Sequence, residues 1–446
     1  MLKHPRVTEA RIARAISLIQ PHIHTDAIPL AIEVFQHPGE PHFPAQIPDT
    51  GFQPFQLGGQ WGPAWSTVWF RFTGALPEGW AGKRANALIR LGSAAGEGFT
   101  AEGMVWAGGT PLRAINVNRA EVPLDFVTTD GRITFLVEAA ANPSPRTWLP
   151  YGDPEPAPAE PLFTLEQAEL ALFDAEAYAL HQDLAIAYGA MMELPEATPR
   201  RGQLLRACND AVNLLDPSDP ATYEPACAAL REVLAKRNGD TVHEISAAGH
   251  AHIDTAWLWP VRETIRKCAR TFATQLAYMR DHPEYVFCCS QAQQYAWMKE
   301  FYPAIYAGIR EAVARGQWEP VGSMWVEADC NIPSGESLIR QFVHGKNFFI
   351  DEFGIETRDC WLPDVFGYSA ALPQILLQAG IDSFLTQKIS WNQFNTFPHH
   401  TFLWEGIDGT RVFSHFPPAD NYNGTFAPAE LAYNVSNFKE HDRATR

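Results

Sequence analysis

The sequence predicts an α/β protein: an antiparallel β-sandwich, a helical connector, then a parallel sheet with crossover helices, closed as a barrel or open and doubly wound. Three observations carry this. Residues 1–150 hold short alternating apolar segments separated by Gly and Pro clusters. Residues 164–240 switch to Ala, Leu and Glu at helical spacing, and from 241 to 446 short strand-like runs alternate with helical stretches. A chain of 446 residues is long enough for two or three such domains.

In the first segment STVWFRFTGAL (66–76), NALIRLG (86–92) and GRITFLVEAA (131–140) read as sandwich strands. YGDPEPAPAEPLF (151–163) is rich in proline and acid, which predicts an extended linker. LEQAELALFDAEAYALHQDLAIAY then opens the helical connector with its longest helical pattern. Beyond it come VHEISAAG and a helix from about 261, YVFCCSQ and a helix from about 292, and QWEPVGSM and a helix from about 335. RDCWLPD with a helix from about 370, followed by SFLTQK, completes the alternation.

A formal net charge of −17 excludes the basic face that a nucleic acid or an anionic membrane surface requires. The seven cysteines are odd in number, scattered and without a CxxC pair, as in a reduced, cytoplasmic protein. The N-terminus lacks the apolar core of a secretory signal, and no apolar run reaches the roughly 18 residues of a membrane span. Homo-oligomerisation is compatible with this composition.

The polar residues fall at strand ends: His250, His252 and Asp254 after the first, Ser290 and Gln291 after the second, Trp325, Glu327 and Asp329 after the third, Asp364 after the fourth, Lys388 after the fifth. In a parallel sheet these ends share one face, where ligand sites are built. His252 and Asp254, two apart in extended chain, point the same way and can share one ion, suited to zinc and also to cobalt or manganese. An H-x-D triplet alone is weak, because a lone histidine is more often satisfied by a core hydrogen bond. Asp364 strengthens it as an acid inside the apolar tract WLPDVFGY, where an unpaired carboxylate would cost several kcal/mol. Trp257, Trp259, Trp325, Trp361 and Trp391 also lie near strand ends, and flat rings beside carboxylates suit a sugar.

GHAHIDTAWLWP (249–260), EPVGSMWVEADCNIPSGESLIRQ (319–341), DCWLPDVFGYSAALPQIL (359–376) and LTQKISWNQFNTFPHHTFLWEGIDGTRVFSHFPP (385–418) together resemble the retaining α-mannosidases of glycoside hydrolase family 38, in its cytosolic and bacterial branch. The resemblance implies that residues 241–446 are the N-terminal part of a catalytic parallel β/α barrel, incomplete in this sequence. It implies one Zn2+, with Co2+ in some members, held by His252, Asp254 and Asp364, with Asp364 also the catalytic nucleophile. Trp257 matches a ring that stacks on mannose, and Lys388 stands where other branches have an arginine near the substrate. Tyr422 falls near a tyrosine that contacts the sugar, with Asn423 in place of the neighbouring acid. Asp329, with Glu327, reads as an acidic edge that either binds the sugar or supports the residues that hold the metal and sugar. His250 is a neighbour and not a ligand.

The implied substrate is an α-mannoside oligosaccharide, hydrolysed at its terminal α-mannosyl residues. The family's fourth metal ligand and its general acid have no counterpart up to Arg446, so the sequence reads as the front half of a longer enzyme, with Asp420 or Asp329 as substitute candidates for the acid. Another aglycone, such as mannosylglycerate, would call for more basic residues near Lys388. The alternatives are a catalytically silent mannose-binding fragment and a metal-dependent amidohydrolase or deacetylase, which would bring further histidines or a carboxylated lysine to later strand ends.

Overall fold

Period-two alternation gives the larger N-terminal sheet two buried faces. The computed structural model describes residues 4–39, 46–92, 100–124, 128–129, 131–143, 160–237, 243–257 and 259–441. In it the strand Thr67–Ala75 runs antiparallel between Ala31–Gln36 and Arg132–Ala141 in a seven-stranded sheet. Val68, Phe70 and Phe72 pack toward a four-stranded sheet ordered His24–Pro29, Gln167–Phe173, Ala85–Arg90 and Glu121–Pro123. Trp69 turns the other way and joins Met104 and Trp106 in the core of the C-terminal domain. The sandwich is therefore packed on both sides of its larger sheet.

Its limits differ from those read in the sequence. Phe163–Thr164 pairs with Gln60–Trp61, and Gln167–Phe173 is an inner strand of the smaller sheet, so the helix expected from 164 begins only at Ala175. The segment QAELALF also alternates at period two, and burying Ala168, Leu170 and Leu172 in the sandwich core outweighs its helical propensity. Asp174 marks the switch, accepting from the backbone N–H of Glu176 and Ala177 at 2.9 Å each as an N-cap. Residues 151–159 of the expected linker lie outside the described residues.

Nor does the sandwich begin at residue 1. Pro5–Ile19 is a helix whose Ile12, Ala15 and Ile19, spaced three and four apart, pack among the connector helices Ala175–Glu193, Pro199–Leu214 and Tyr223–Leu234. The helical unit draws on both ends of the sandwich sequence.

In the C-terminal domain four of the five expected strands are present, shortened, and the first is shifted to Gly249–His250, the end of the expected run VHEISAAG. Gly249–His250, Phe287–Cys289 and Trp318–Pro320 form one parallel sheet. Asp359–Trp361, Ser383–Leu385 and Arg411–His415 run parallel in another, which ends in the antiparallel strand Thr401–Glu405. The turn Gly406–Thr410, with Gly409 at φ 86°, is too short for a crossover, so it returns the chain antiparallel. Among the described residues the strands thus make two sheets and no closed barrel, as an incomplete β/α barrel would. The helices Val261–Asp281, Ala292–Phe301, Pro303–Ala314, Gly335–Phe353 and Leu372–Gln378 alternate with them. No helix among the described residues is long and apolar enough to cross a membrane.

The helix Val261–Asp281 carries the contact with the sandwich. Lys267 and Arg270 reach Glu102 at 2.8 and 2.7 Å, and Arg266 reaches Glu138 at 3.0 Å and the Thr67 hydroxyl at 3.0 Å. Glu263 pairs with Arg266 at 3.3 Å and with Arg270, and accepts from Asn142 at 2.9 Å. Burial alone would raise the Glu263 carboxyl, yet Arg270, Arg266 and Lys267 outweigh it and hold the group down to about 2. Removing one member leaves buried charge without a partner. Glu263→Ala is expected to cost about 3–5 kcal/mol in denaturant unfolding. Because the folded value lies below the ordinary 4.5, this stabilisation is present above pH 4.5 and lost as pH falls toward 2. The gap between wild type and variant is expected to close over that range.

Candidate metal centre

The loop after the first strand is shaped by a single buried hydroxyl. Thr264, in the first turn of the helix Val261–Asp281, donates to the carbonyl of Asp254 at 3.1 Å and accepts from Ala256 N–H and the Trp259 indole, both at 3.0 Å. Gln291 holds the same loop from the second strand end. Its amide nitrogen donates to the Ile253 carbonyl at 3.0 Å and to Glu327 at 3.2 Å; its oxygen accepts from the Thr255 hydroxyl at 2.9 Å and from Glu327 N–H at 3.3 Å. All four of its hydrogen-bonding positions are used. The backbone of Gln291 is left-handed, at φ 67°, a conformation that costs energy in a non-glycine residue and recurs at functional sites.

This scaffold brings His252, Asp254 and Asp364 together. His252 Nε2 lies 3.4 Å from Asp254 Oδ1 and 3.3 Å from Asp364 Oδ2, and one ligand atom from each residue falls within 4.8 Å of the others. His252 Nδ1 is bonded to Glu327 Oε2 at 2.7 Å. Asp364 also pairs with Lys388, whose ammonium sits 3.3 Å from the Trp391 ring centroid and 4.3 Å from that of Phe366. Burial and the Asp364 carboxylate push the Tyr422 phenol up to about 12, and its ring centroid is 5.1 Å from that of His252.

Other residues singled out in the sequence lie elsewhere. His250 packs its ring against Trp361 at 5.1 Å. Trp257 stands half exposed, edge-on to Trp259. Asp329 is exposed and accepts from the backbone N–H of Asn331 and Ile332, both at 2.8 Å, while Asp420 accepts from Tyr433 at 2.7 Å and Asn437 at 2.9 Å. Sequence reasoning did not find the bond from Glu327 to His252 or the Phe366 ring beside Lys388. Strand-end position flagged Glu327 as polar but could not pair it, and Phe366, 76% exposed two residues after Asp364, carries its signal only once its exposure is known.

The electrostatics ask for a cation. Burial lowers the His252 imidazole, but Glu327, Asp254 and Asp364 overcome it and push the group up to about 12. Asp364 is held below the usual carboxylate range: burial raises it, and His252 and Lys388 more than offset this. Three carboxylates face one lysine, leaving two negative charges uncompensated if the imidazole is neutral.

The donor set fits a divalent metal. His252 Nε2 is buried without a hydrogen-bond partner, while Nδ1 is committed to Glu327. Atoms about 2.1 Å from a tetrahedral ion stand about 3.4 Å apart, close to the separations observed. His250 Nε2 is likewise unpartnered, but among the described residues the metal-grade cluster is the one at His252. One imidazole and two carboxylates suit a borderline-hard ion.

Known proteins share these segments. Residues 242–446 match the glycosyl hydrolases family 38 N-terminal domain, and residues 28–171 the alpha-mannosidase jelly roll domain. The chain is 42% identical over 404 residues to alpha-mannosidase 2C1 of Homo sapiens, covering 88% of this chain and 37% of that protein. Alpha-mannosidase G of Dictyostelium discoideum is 36% identical over 458 residues, 99% and 41% of the two chains, and alpha-mannosidase of Saccharomyces cerevisiae 36% over 388 residues, 83% and 35%. The chain therefore spans about two fifths of the length of these relatives. Among solved structures an alpha-mannosidase from Enterococcus faecalis V583 is similar at 19% identity with a TM-score of 0.36, over 43% of this chain and 22% of that one.

Zn2+ added at about 100 times its Kd to the metal-stripped chain is expected to raise stability by about 2.7 kcal/mol, read as a shift in Tm. His252→Ala removes the shift.

Proposed function

From the chain's membership of glycoside hydrolase family 38, we propose that the site takes a terminal α-mannosyl residue of an oligosaccharide and serves its zinc-dependent hydrolysis with retention of configuration. The carrying observation is Asp364, a carboxylate that meets His252 through one oxygen and Lys388 through the other. Its depressed pKa keeps it ionised at neutral pH, as a nucleophile requires.

In this reading Asp364 attacks the anomeric carbon, the bond to the leaving oxygen breaks, that oxygen takes a proton from an acid, and water later releases the sugar from Asp364. Lys388, paired with Asp364 and fixed over Trp391, aims the attacking carboxylate, and Tyr422 lines the site beside His252. Trp257 offers a half-exposed ring to the apolar face of the sugar. His252, Asp254 and Asp364 would hold the metal, Zn2+ with Co2+ as a second candidate. A bound divalent ion supplies Lewis-acid binding of the mannose 2- and 3-hydroxyls. The acidic composition and the reduced cysteines support a cytoplasmic setting.

One observation favours a second reading for these 446 residues, mannose binding without turnover. Of the two candidates for the acid, Asp329 gives one carboxylate oxygen to the backbone of its own loop and Asp420 gives one to Tyr433 and Asn437 of the helix Pro428–Asn437. An amidohydrolase site gains no support, since carboxylates and aromatic rings surround His252 in place of further histidines.

An α-mannosyl fluoride tests Asp364 independently of any acid, because fluoride departs without a proton from one. Chelator-sensitive fluoride release is expected from the wild type, and Asp364→Asn is expected to slow it on the order of 10³-fold. Mannose binding with no release supports the silent form; release unchanged in the variant removes Asp364 from the role of nucleophile.

A further inference from the structure

We infer that Glu327 is the positioning residue of the metal centre: it fixes the tautomer and aim of His252 so that Nε2 is the free ligand atom. The inference rests on the metal-centre reading of His252, Asp254 and Asp364. Glu327 Oε2 bonds His252 Nδ1 at 2.7 Å, within the range of a charge-assisted bond. Its other oxygen accepts from the Ser290 hydroxyl at 2.9 Å and the Gln291 amide at 3.2 Å. A carboxylate that accepts from two further donors is acting as an acceptor, so the proton in the bond to His252 belongs on Nδ1. In the neutral, ligating form of the ring the lone pair is then on Nε2, the buried atom without a hydrogen-bond partner that faces Asp254 and Asp364.

The support behind Glu327 is built as well. Its side chain is 6% exposed, and its own N–H is held by Gln291, the residue whose left-handed backbone links this strand end to the loop of His252. A carboxylate behind a ligating imidazole holds the ring in place and raises the basicity of the nitrogen opposite. Ser290 and Gln291 would then act one step further out, by keeping Glu327 from turning away.

The test compares the wild-type chain with Glu327→Gln, which keeps the shape and loses the charge. Zn2+ affinity is measured by competition with a chromogenic chelator, the visible spectrum is recorded with Co2+, and Tm is recorded after metal stripping. Affinity is expected to fall about 10–100-fold, with a changed Co2+ spectrum and an unchanged Tm of the stripped protein. Ser290→Ala is expected to lose affinity in the same direction by a smaller factor, which keeps the inference testable should Glu327→Gln fail to fold. Unchanged affinity in both variants overturns the positioning role while leaving the metal centre standing. A lower stripped Tm with unaltered affinity assigns Glu327 to structure alone and also overturns it. No Zn2+ binding by the wild type removes the metal reading and the inference together.

Discussion

The helix Val261–Asp281 is held to the sandwich by ions that have almost no water around them, and the site is built on the same helix. Glu263, Arg266, Lys267 and Arg270 face Glu102 and Glu138, while Thr264, in the midst of them, faces the loop of Asp254. Charges taken out of water are tolerated only when each meets its partner closely, so this contact admits little sliding. The loop that presents His252 and Asp254 inherits that rigidity through one threonine hydroxyl. Lys267 tightens the link by lying 4.8 Å from the Trp259 ring centroid, at the far end of the loop.

At the site the same physics runs in the opposite direction. The interdomain contact balances its charges, whereas the group around His252 leaves them unbalanced toward the negative, with carboxylates at 2.7, 3.3 and 3.4 Å from the imidazole nitrogens. Lys388 offsets part of this and is itself kept in place by aromatic faces and not by further carboxylates. A centre of this kind stores attraction for a cation in the protein's own arrangement.

Much of the site was legible because it follows from strand ends. The order of strands and helices after 241 follows from alternation, and polarity at the strand ends puts His252, Asp254, Asp364 and Lys388 on one face, from which the resemblance picks them out. Pairings were not legible. Nothing in the spacing joins Glu327 to His252, 75 residues away, or sends Asp329 to its own loop. Domain limits failed where one segment satisfies two periods: QAELALF serves helix or strand, and pairing with Ala85–Arg90 decides. Tyr422 reached the centre although its flanking Asn423 departs from the family pattern, since its ring, independent of the neighbour, makes the contacts with His252 and Lys388.

The two buried faces of the larger sheet bear on how such a chain can change over evolutionary time. A sandwich joined to its neighbour by a linker alone could be gained, lost or exchanged by recombination at little cost. Here, removing it would take away Trp69, Met104 and Trp106 with the carboxylates of Glu102 and Glu138, lay bare the apolar residues of the C-terminal domain that share their core, such as Tyr302, and strand the cations of the facing helix. Shuffling of this domain would require simultaneous rewriting of one face of the helix Val261–Asp281, so the two parts are bound to be inherited as a unit.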